Sequence, residues 1–251
     1  MQLGDTHYPA LRGQVSDAEW QARVELAALY RLTVLMGWDT LSITHLSARV
    51  PGDPHYLFNP KGFLFEEITA SSLVKITLEG EIVSETPFGI VDGGWFPMKA
   101  VHAARDDANY VIHLHERYGA AMSARRERLL PISQPACFAL AAGVAYHDYD
   151  GVETYAERIP GLQASLGGAY QMILHNHGLL ALGPTARSAF LIMNNLREAC
   201  MIQVLAGREG LIQIPKDVTR DFQQELRRAQ GNDAWPGLLR KLDRLDPTYK
   251  D

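Results

Sequence analysis

Cysteine is scarce: Cys137 and Cys200 are the only two in 251 residues. They stand far apart and outside metal-type spacing, which argues against a disulfide framework and a cysteine zinc knuckle. Two buried thiols in a reducing compartment are expected. Positive charge is also short. Lys and Arg number 24 against 29 Asp and Glu, a net charge of -5 with histidine neutral. Nucleic-acid binders usually show a basic stripe instead. No apolar run approaches membrane-spanning length, and Met1 to Arg12 has no apolar signal-peptide core. A cytoplasmic location is therefore expected. Repeats, low-complexity tracts and linkers rich in Pro, Gly or Ser are missing too. One domain over 1–251 is expected, with a loose N-terminal arm at 1–15 and a C-terminal helical extension at 213–251. A hydrophobic content of 47% with 21% charged residues suits a chain that buries one substantial core.

Histidine carries the chemistry. Tyr110-Val-Ile-His-Leu-His115 and Leu174-His-Asn-His-Gly178 each place two histidines two residues apart in an apolar setting. On a strand, residues i and i+2 share a face. Each pair would then aim two imidazoles at one side of a sheet, with Ile112, Leu114 and Leu174 on the other. Two such strands in contact gather three or four imidazoles around one point. Imidazole is a common ligand for zinc and similar metals, and a catalytic zinc site keeps three protein ligands and one open position. A lone buried histidine is more often a hydrogen-bonded core residue. Two His-x-His pairs in one chain favour a shared site.

Ser16 with Glu19 reads as a capping box before a helix that runs through Trp38, with Leu26, Leu29, Tyr30 and Val34 on one face and Gly37 placed to end it. Leu41 to Val50 is a β-type run containing His45. Pro51-Gly-Asp-Pro54 turns it back into His55–Phe58. Asn59-Pro-Lys-Gly62 is a loop, either a simple turn or an anion cradle built on Lys61 and Gly62. Leu73–Thr77 and Glu81–Val83 read as strands, and Ser84–Gly94 as irregular. Pro97 is expected in the first turn of a helix reaching about Asp106. A helix from about Glu116 to Arg126 follows the histidine strand. Phe138–Ala145 reads as strand or short helix, Tyr146–Gly151 as a polar loop, and Glu153–Leu166 as a helix interrupted near Pro160. A strand ending at His177 and another at Gly178–Gly183 come next. Pro184 opens a long helix ending near Gly207, with Phe190, Met193, Leu196 and Cys200 along one face. A last amphipathic helix is expected from about Asp217 to Ala229.

Seven motifs carry a resemblance: His-Leu-Ser-Ala-Arg at 45–49, Asn-Pro-Lys-Gly at 59–62, Ile-Thr-Ala-Ser-Ser-Leu-Val-Lys-Ile at 68–76, Val-Ile-His-Leu-His at 111–115, Leu-Leu-Pro-Ile-Ser at 129–133, Val-Ala-Tyr-His-Asp-Tyr at 144–149 and Asn-His-Gly at 176–178. From about 17 to 212 the chain resembles the class II aldolase and adducin N-terminal domain family, with several motifs nearer the adducin head. The resemblance implies an α/β fold, three layers α/β/α with a central, largely antiparallel sheet. It also implies a homo-oligomer, commonly a cyclic tetramer with sites at subunit boundaries. In the enzymatic members the matching histidines, here His113, His115 and His177, hold a divalent metal, usually zinc. Manganese and cobalt are the alternatives. His175 occupies a variable position of its motif.

One departure separates this chain from the L-fuculose-1-phosphate aldolase and L-ribulose-5-phosphate 4-epimerase relatives. Where they carry a Ser-Ser-Glu type triplet, this sequence aligns Asp92, Gly93 and Gly94. The usual acid/base position is thus Gly94, and the phosphate cradle shrinks to Lys61 and Gly62 with Thr44 or His45. Replacement acid/base candidates are Asp92, Glu116 and Tyr118. Their bland roles are a solvated loop carboxylate, a helix first-turn residue and a packing ring. Tyr146 and His147 sit in a loop that would reach a neighbouring subunit. Decarboxylation suits a site without that acid, because loss of carbon dioxide itself generates the enolate and the metal acts as electron sink. The expected function is a metal-dependent lyase acting on a small carbonyl or carboxylate compound. The competing expectation is a non-catalytic adducin-head-like oligomerisation module. A histidine-lined metalloenzyme of unrelated fold ranks third. With no basic tail before Asp251, an actin or spectrin partner is not expected.

Overall fold

Short apolar β-segments interleaved with amphipathic helices call for a sheet covered by helices. The computed structural model describes residues 8–41, 43–149, 151, 156–219, 221–222 and 234–251. Its helices are α1 (Asp17–Leu35), α2 (Asp92–Ala104), α3 (Arg117–Ser123), α4 (Gln134–Ala142), α5 (Ile159–Leu166), α6 (Ala186–Ala206) and α7 (Trp235–Leu245). Its strands are β1 (His45–Arg49), β2 (Tyr56–Phe58), β3 (Val74–Ile76), β4 (Tyr110–Leu114), β5 (Ala145–His147), β6 (Gln171–Leu174) and β7 (Gly178–Gly183). They form a seven-stranded sheet in the order β3-β2-β1-β4-β7-β6-β5. Every neighbouring pair is antiparallel except β5 with β6.

Helices α1, α3, α4 and α6 pack on one face, and α2 with α5 on the other. Strand alternation supplies both surfaces. Leu46, Ile112 and Leu114 are fully buried, and their parity puts them on the face opposite His45 and His113. Because His45 pairs with His113 in register, both imidazoles stand on the α2 side. The predicted three-layer α/β/α architecture is the one observed.

Several local expectations need correction. Only the second half of the 41–50 run is strand: Leu41 has φ 49° and belongs to a turn. Ser16 Oγ accepts from the Glu19 N–H at 3.2 Å, but the Glu19 carboxylate bonds Arg23 and Lys75 instead of closing a capping box. The 81–83 return strand reduces to a single bridge between Ile82 and Ile76. Helix α2 begins at Asp92, so Pro97 lies inside it. Proline has no N–H to give the Gly93 carbonyl four residues back, and the helix interior tolerates it at a cost of ~3 kcal/mol. The 134–142 segment is helical, and Tyr146 and His147 lie on the edge strand β5 instead of a loop. Strand β6 ends at Leu174, so His175 and His177 sit in the turn that joins it to β7. Most of the helix expected over 217–229 lies outside the described residues, as do 152–155 of the helix expected to start at Glu153. Helix α7 was not expected as a separate element. It packs on α1, and Trp235 rests against Phe190.

Candidate metal centre

Strand β4 brings His113 to the end of the sheet, and His115 follows one residue past the strand. The β6–β7 turn brings His177 alongside. His113 Nε2 lies 2.9 Å from His115 Nε2 and 3.2 Å from His177 Nε2. The ligand nitrogens of all three fall within 4.8 Å of one another. Three nitrogens at ~2.05 Å from one tetrahedral zinc would stand ~3.3 Å apart, so the spacing is close to that of a metal site.

Protonation supports the same reading. His113 Nδ1 is 3.0 Å from the Leu179 carbonyl, which can only accept, so Nδ1 carries the proton and Nε2 a lone pair. The other two Nε2 atoms close on that lone pair at 2.9 and 3.2 Å. A single cation between the three nitrogens would serve them all. Burial, reinforced by the charges that His177 and His115 would carry, holds the His113 pKa well below the usual imidazole value. Burial also lowers that of His115, to about 4. Both rings are thus neutral at pH 7, the form in which an imidazole can bind a metal.

The turn that presents His177 is tightly specified. Asn176 takes φ 55°, a left-handed conformation that asparagine tolerates better than most residues. The His177 N–H donates to Ser123 Oγ at 3.1 Å, and the Asn176 N–H to the Ser123 carbonyl at 3.1 Å. Gly178 is forced by close approach: a Cβ there would lie 2.2 Å from the Leu114 carbonyl oxygen. His175 turns away from the trio. Its Nδ1 donates to the Ser123 carbonyl at 3.0 Å, and its ring stacks on Tyr146. The expectation that both histidines share a strand face fails because they occupy a turn.

The three imidazoles open on a cavity of about 500 Å³, lined also by Ile43, His45, Val91, Gly93, Gly94, Pro97, Tyr149, Gly151 and Asn176. Ile43 and Tyr149 are 53% and 54% exposed and form its mouth. His45, left open between solvent and site by its sequence context, is buried in the cavity wall. Thr44 is fully buried and is not among the described lining residues. Neither are Lys61 and Gly62. The Lys61 N–H bonds the Gly89 carbonyl, which ties the 59–62 loop to the 84–90 segment and leaves the lysine exposed. Asn59 is the member of that loop that reaches the site, through His45.

The acid/base candidates lie in three different settings. Asp92 is exposed in the first turn of α2, between the lining residues Val91 and Gly93. Glu116 is buried as the N-cap of α3, accepting from the Tyr118 and Gly119 N–H groups, with Arg197 Nε 3.5 Å away. Tyr118 lies under the Arg197 guanidinium, 5.3 Å from ring centre. Tyr146 accepts no place in the cavity wall; its hydroxyl receives the Leu129 N–H. His147 Nδ1 meets Ser165 Oγ at 2.9 Å, on the α5 side. Sequence reasoning missed Ser123, the Leu179 carbonyl and the reason for Gly94. The first two act through backbone groups far away in the chain and leave no local signature.

Known proteins resemble this chain in sequence and fold. The family model described as class II aldolase and adducin N-terminal domain matches residues 24–204. A crystal structure of an aldolase II superfamily protein from Pseudomonas syringae superposes with a TM-score of 0.90 at 42% identity, covering 97% of this chain and 100% of that one. L-fuculose 1-phosphate aldolase from Glaciozyma antarctica superposes at 0.82 with 26% identity, covering 98% and 97%. Mouse alpha-adducin is 44% identical over 203 residues, which span 77% of this chain and 27% of the adducin. Among the described residues, no helix is long and apolar enough to cross a membrane.

Proposed function

Because the chain belongs to the class II aldolase and adducin N-terminal domain family, we propose that it is a metal-dependent lyase. It would break a carbon–carbon bond in a small carbonyl or carboxylate compound, by decarboxylation or aldol-type cleavage. The observation that carries this reading is the convergence of three Nε2 atoms at the wall of a cavity large enough for a small guest. His113, His115 and His177 would hold a divalent cation, zinc first, with manganese or cobalt as alternatives. When bound, such an ion supplies a Lewis acid that draws electron density from a carbonyl oxygen.

The chain's own residues supply position and enclosure. Ile43, Val91, Pro97 and Tyr149 present apolar surface around the guest and limit water at the reacting centre. Gly94 offers no proton-transfer group. Decarboxylation avoids the need for one at its first step, since the bonding pair stays with the carbon left behind as carbon dioxide departs, and no base has to remove a carbon-bound proton. The carbon left behind then takes up a proton. Of the three acid/base candidates, we retain Asp92, which stands between two lining residues. Glu116 and Tyr118 are engaged with the start of α3 and with Arg197. The homo-tetramer implied by the resemblance belongs to the same proposal.

The test is to purify the protein without chelator, measure its metal content, and assay it on a panel of β-keto acids, hydroxy-aromatic carboxylates and aldols. Near-stoichiometric zinc, manganese or cobalt with release of carbon dioxide or an aldehyde is expected. A metal-loaded protein inert on the whole panel would overturn the lyase. The likeness to alpha-adducin favours a second reading, a non-catalytic oligomerisation module. That reading requires a protein that takes up no metal and gains no stability when metal is added.

A further inference from the structure

Helix α3 reaches the supports of all three histidines from behind. It packs on the face of the sheet opposite the one from which His113 projects. Its contact residues Glu116, Gly119 and Ser123 are spaced three and four apart, which sets them on one face. Glu116 directly follows His115. Its buried carboxylate accepts the Tyr118 N–H at 3.0 Å and the Gly119 N–H, so the helix starts where the ligand ends. Gly119 lies against β7: a Cβ there would stand 2.5 Å from Leu179 Cγ and 2.6 Å from Cδ1. The carbonyl of that same Leu179 receives the His113 Nδ1 proton at 3.0 Å. Ser123 is buried at the last turn. Its Oγ gives its proton to the Ala120 carbonyl at 2.8 Å and accepts the His177 N–H at 3.1 Å. Its carbonyl accepts the Asn176 N–H and the His175 Nδ1 proton. Glu116, Gly119 and Ser123 are not among the described residues that line the cavity.

We propose that α3 is the positioning element of the trio, with Ser123 and Gly119 as its positioning residues. Ser123 fixes the turn that aims His177. Gly119 lets α3 close on β7 and so fixes Leu179, and with it the His113 ring. The inference rests on the reading of the trio as a metal centre. It adds that the geometry of that centre is set from the far side of the sheet, so that a change on α3 alters metal binding without touching the cavity wall. Groups that orient a metal ligand typically carry about 10–100-fold of the affinity.

The test compares native protein with Ser123→Ala and Gly119→Ala, each stripped of metal and reloaded. Zinc affinity is read by competition with a chelator, and ligand geometry from the visible absorption of the cobalt-loaded protein. Both variants are expected to bind zinc at least about 10-fold more weakly than the native chain and to shift the cobalt bands. Val74→Ala, a core truncation on β3 at the far edge of the sheet, should cost stability and leave affinity and bands native. Ser123→Ala removes a single hydroxyl and Gly119→Ala adds a single methyl, so where one fails to fold the other decides. A folded variant with native affinity, or with native cobalt bands, overturns the positioning role of its residue while the metal centre stands. An equal loss of affinity in Val74→Ala overturns it too, by tying affinity to overall stability. If the native protein takes up neither ion, the metal centre and this inference fall together.

Discussion

Loading the trio with metal should stabilise the fold by an amount that can be worked out in advance. The three Nε2 atoms already converge, with His113 fixed by the Leu179 carbonyl and His177 by the Ser123 turn, so little reorganisation opposes binding. An ion that binds the folded chain alone stabilises it by RT ln(1 + [L]/Kd), or ~2.7 kcal/mol at a free concentration of ~100 Kd. For a chain of 251 residues, each kcal/mol raises the melting temperature by ~2–4 °C, so a rise of roughly 5–11 °C is expected. The assay is differential scanning calorimetry of protein stripped with chelator and titrated with zinc, manganese or cobalt. The control is His113→Ala/His115→Ala. Its metal-free melting temperature will fall, because a buried ring, a half-buried one and the bond to Leu179 are lost. The quantity to compare is therefore the metal-induced rise within each protein, which should shrink to about 1 °C or less in the variant by the same conversion. A native protein that shows no rise with any of the three ions, or an equal rise in the variant, would refute the site.

Two further outcomes follow from groups around the centre. His102 is buried between Ser47 Oγ and the Ala108 carbonyl, and burial, aided by the Arg49 charge, pulls its pKa down to about 3. Its folded value lies below the unfolded ~6.5, so its contribution is complete above pH 6.5 and is lost as pH falls toward 3. At pH 4.5 the loss is on the order of 3 kcal/mol, and urea midpoints should show His102→Gln falling less steeply than the native chain between pH 7 and 4.5. Gly178→Ala should destabilise the protein by about 2–3 kcal/mol, in the range of an overpacked core, and should weaken zinc binding, because the Leu114 carbonyl it meets adjoins His115. Equal zinc affinity in that variant, measured by competition with a chelator, would show that the turn does not set His177.

The layers and the trio were legible in the sequence for different reasons. His113 and His115 follow from strand parity, since β4 is regular through Leu114 and His115 keeps its alternation one residue past the strand. His177 does not follow from parity. It lies in a turn after β6, and the same turn removes His175 from the cluster, so the histidine that joins the trio was picked out by the Asn-His-Gly motif and not by alternation. Helix α2 was misjudged at its start because Pro97 is the strongest local signal for a first turn, whereas tertiary packing around Trp95 and Met98 carries the helix back to Asp92. Lys61 was drawn into the site by its charge beside Gly62 in the Asn-Pro-Lys-Gly loop, and the bond of its N–H to Gly89 leaves it off the cavity wall. The meaning of Gly94 was hidden for a deeper reason. A glycine records only what would not fit, and here a Cβ would lie 2.1 Å from the ring of His45, which comes from a distant strand.

The bond between His113 Nδ1 and the Leu179 carbonyl joins the ligand of one strand to the backbone of the next. Rotation about the His113 side-chain bonds alone would break that link, so the ring keeps one orientation for as long as β4 and β7 stay paired. The aim of one imidazole thus becomes a property of the sheet: its Nδ1 proton should be visible in the NMR spectrum of the native protein and should vanish as mild denaturant opens those two strands.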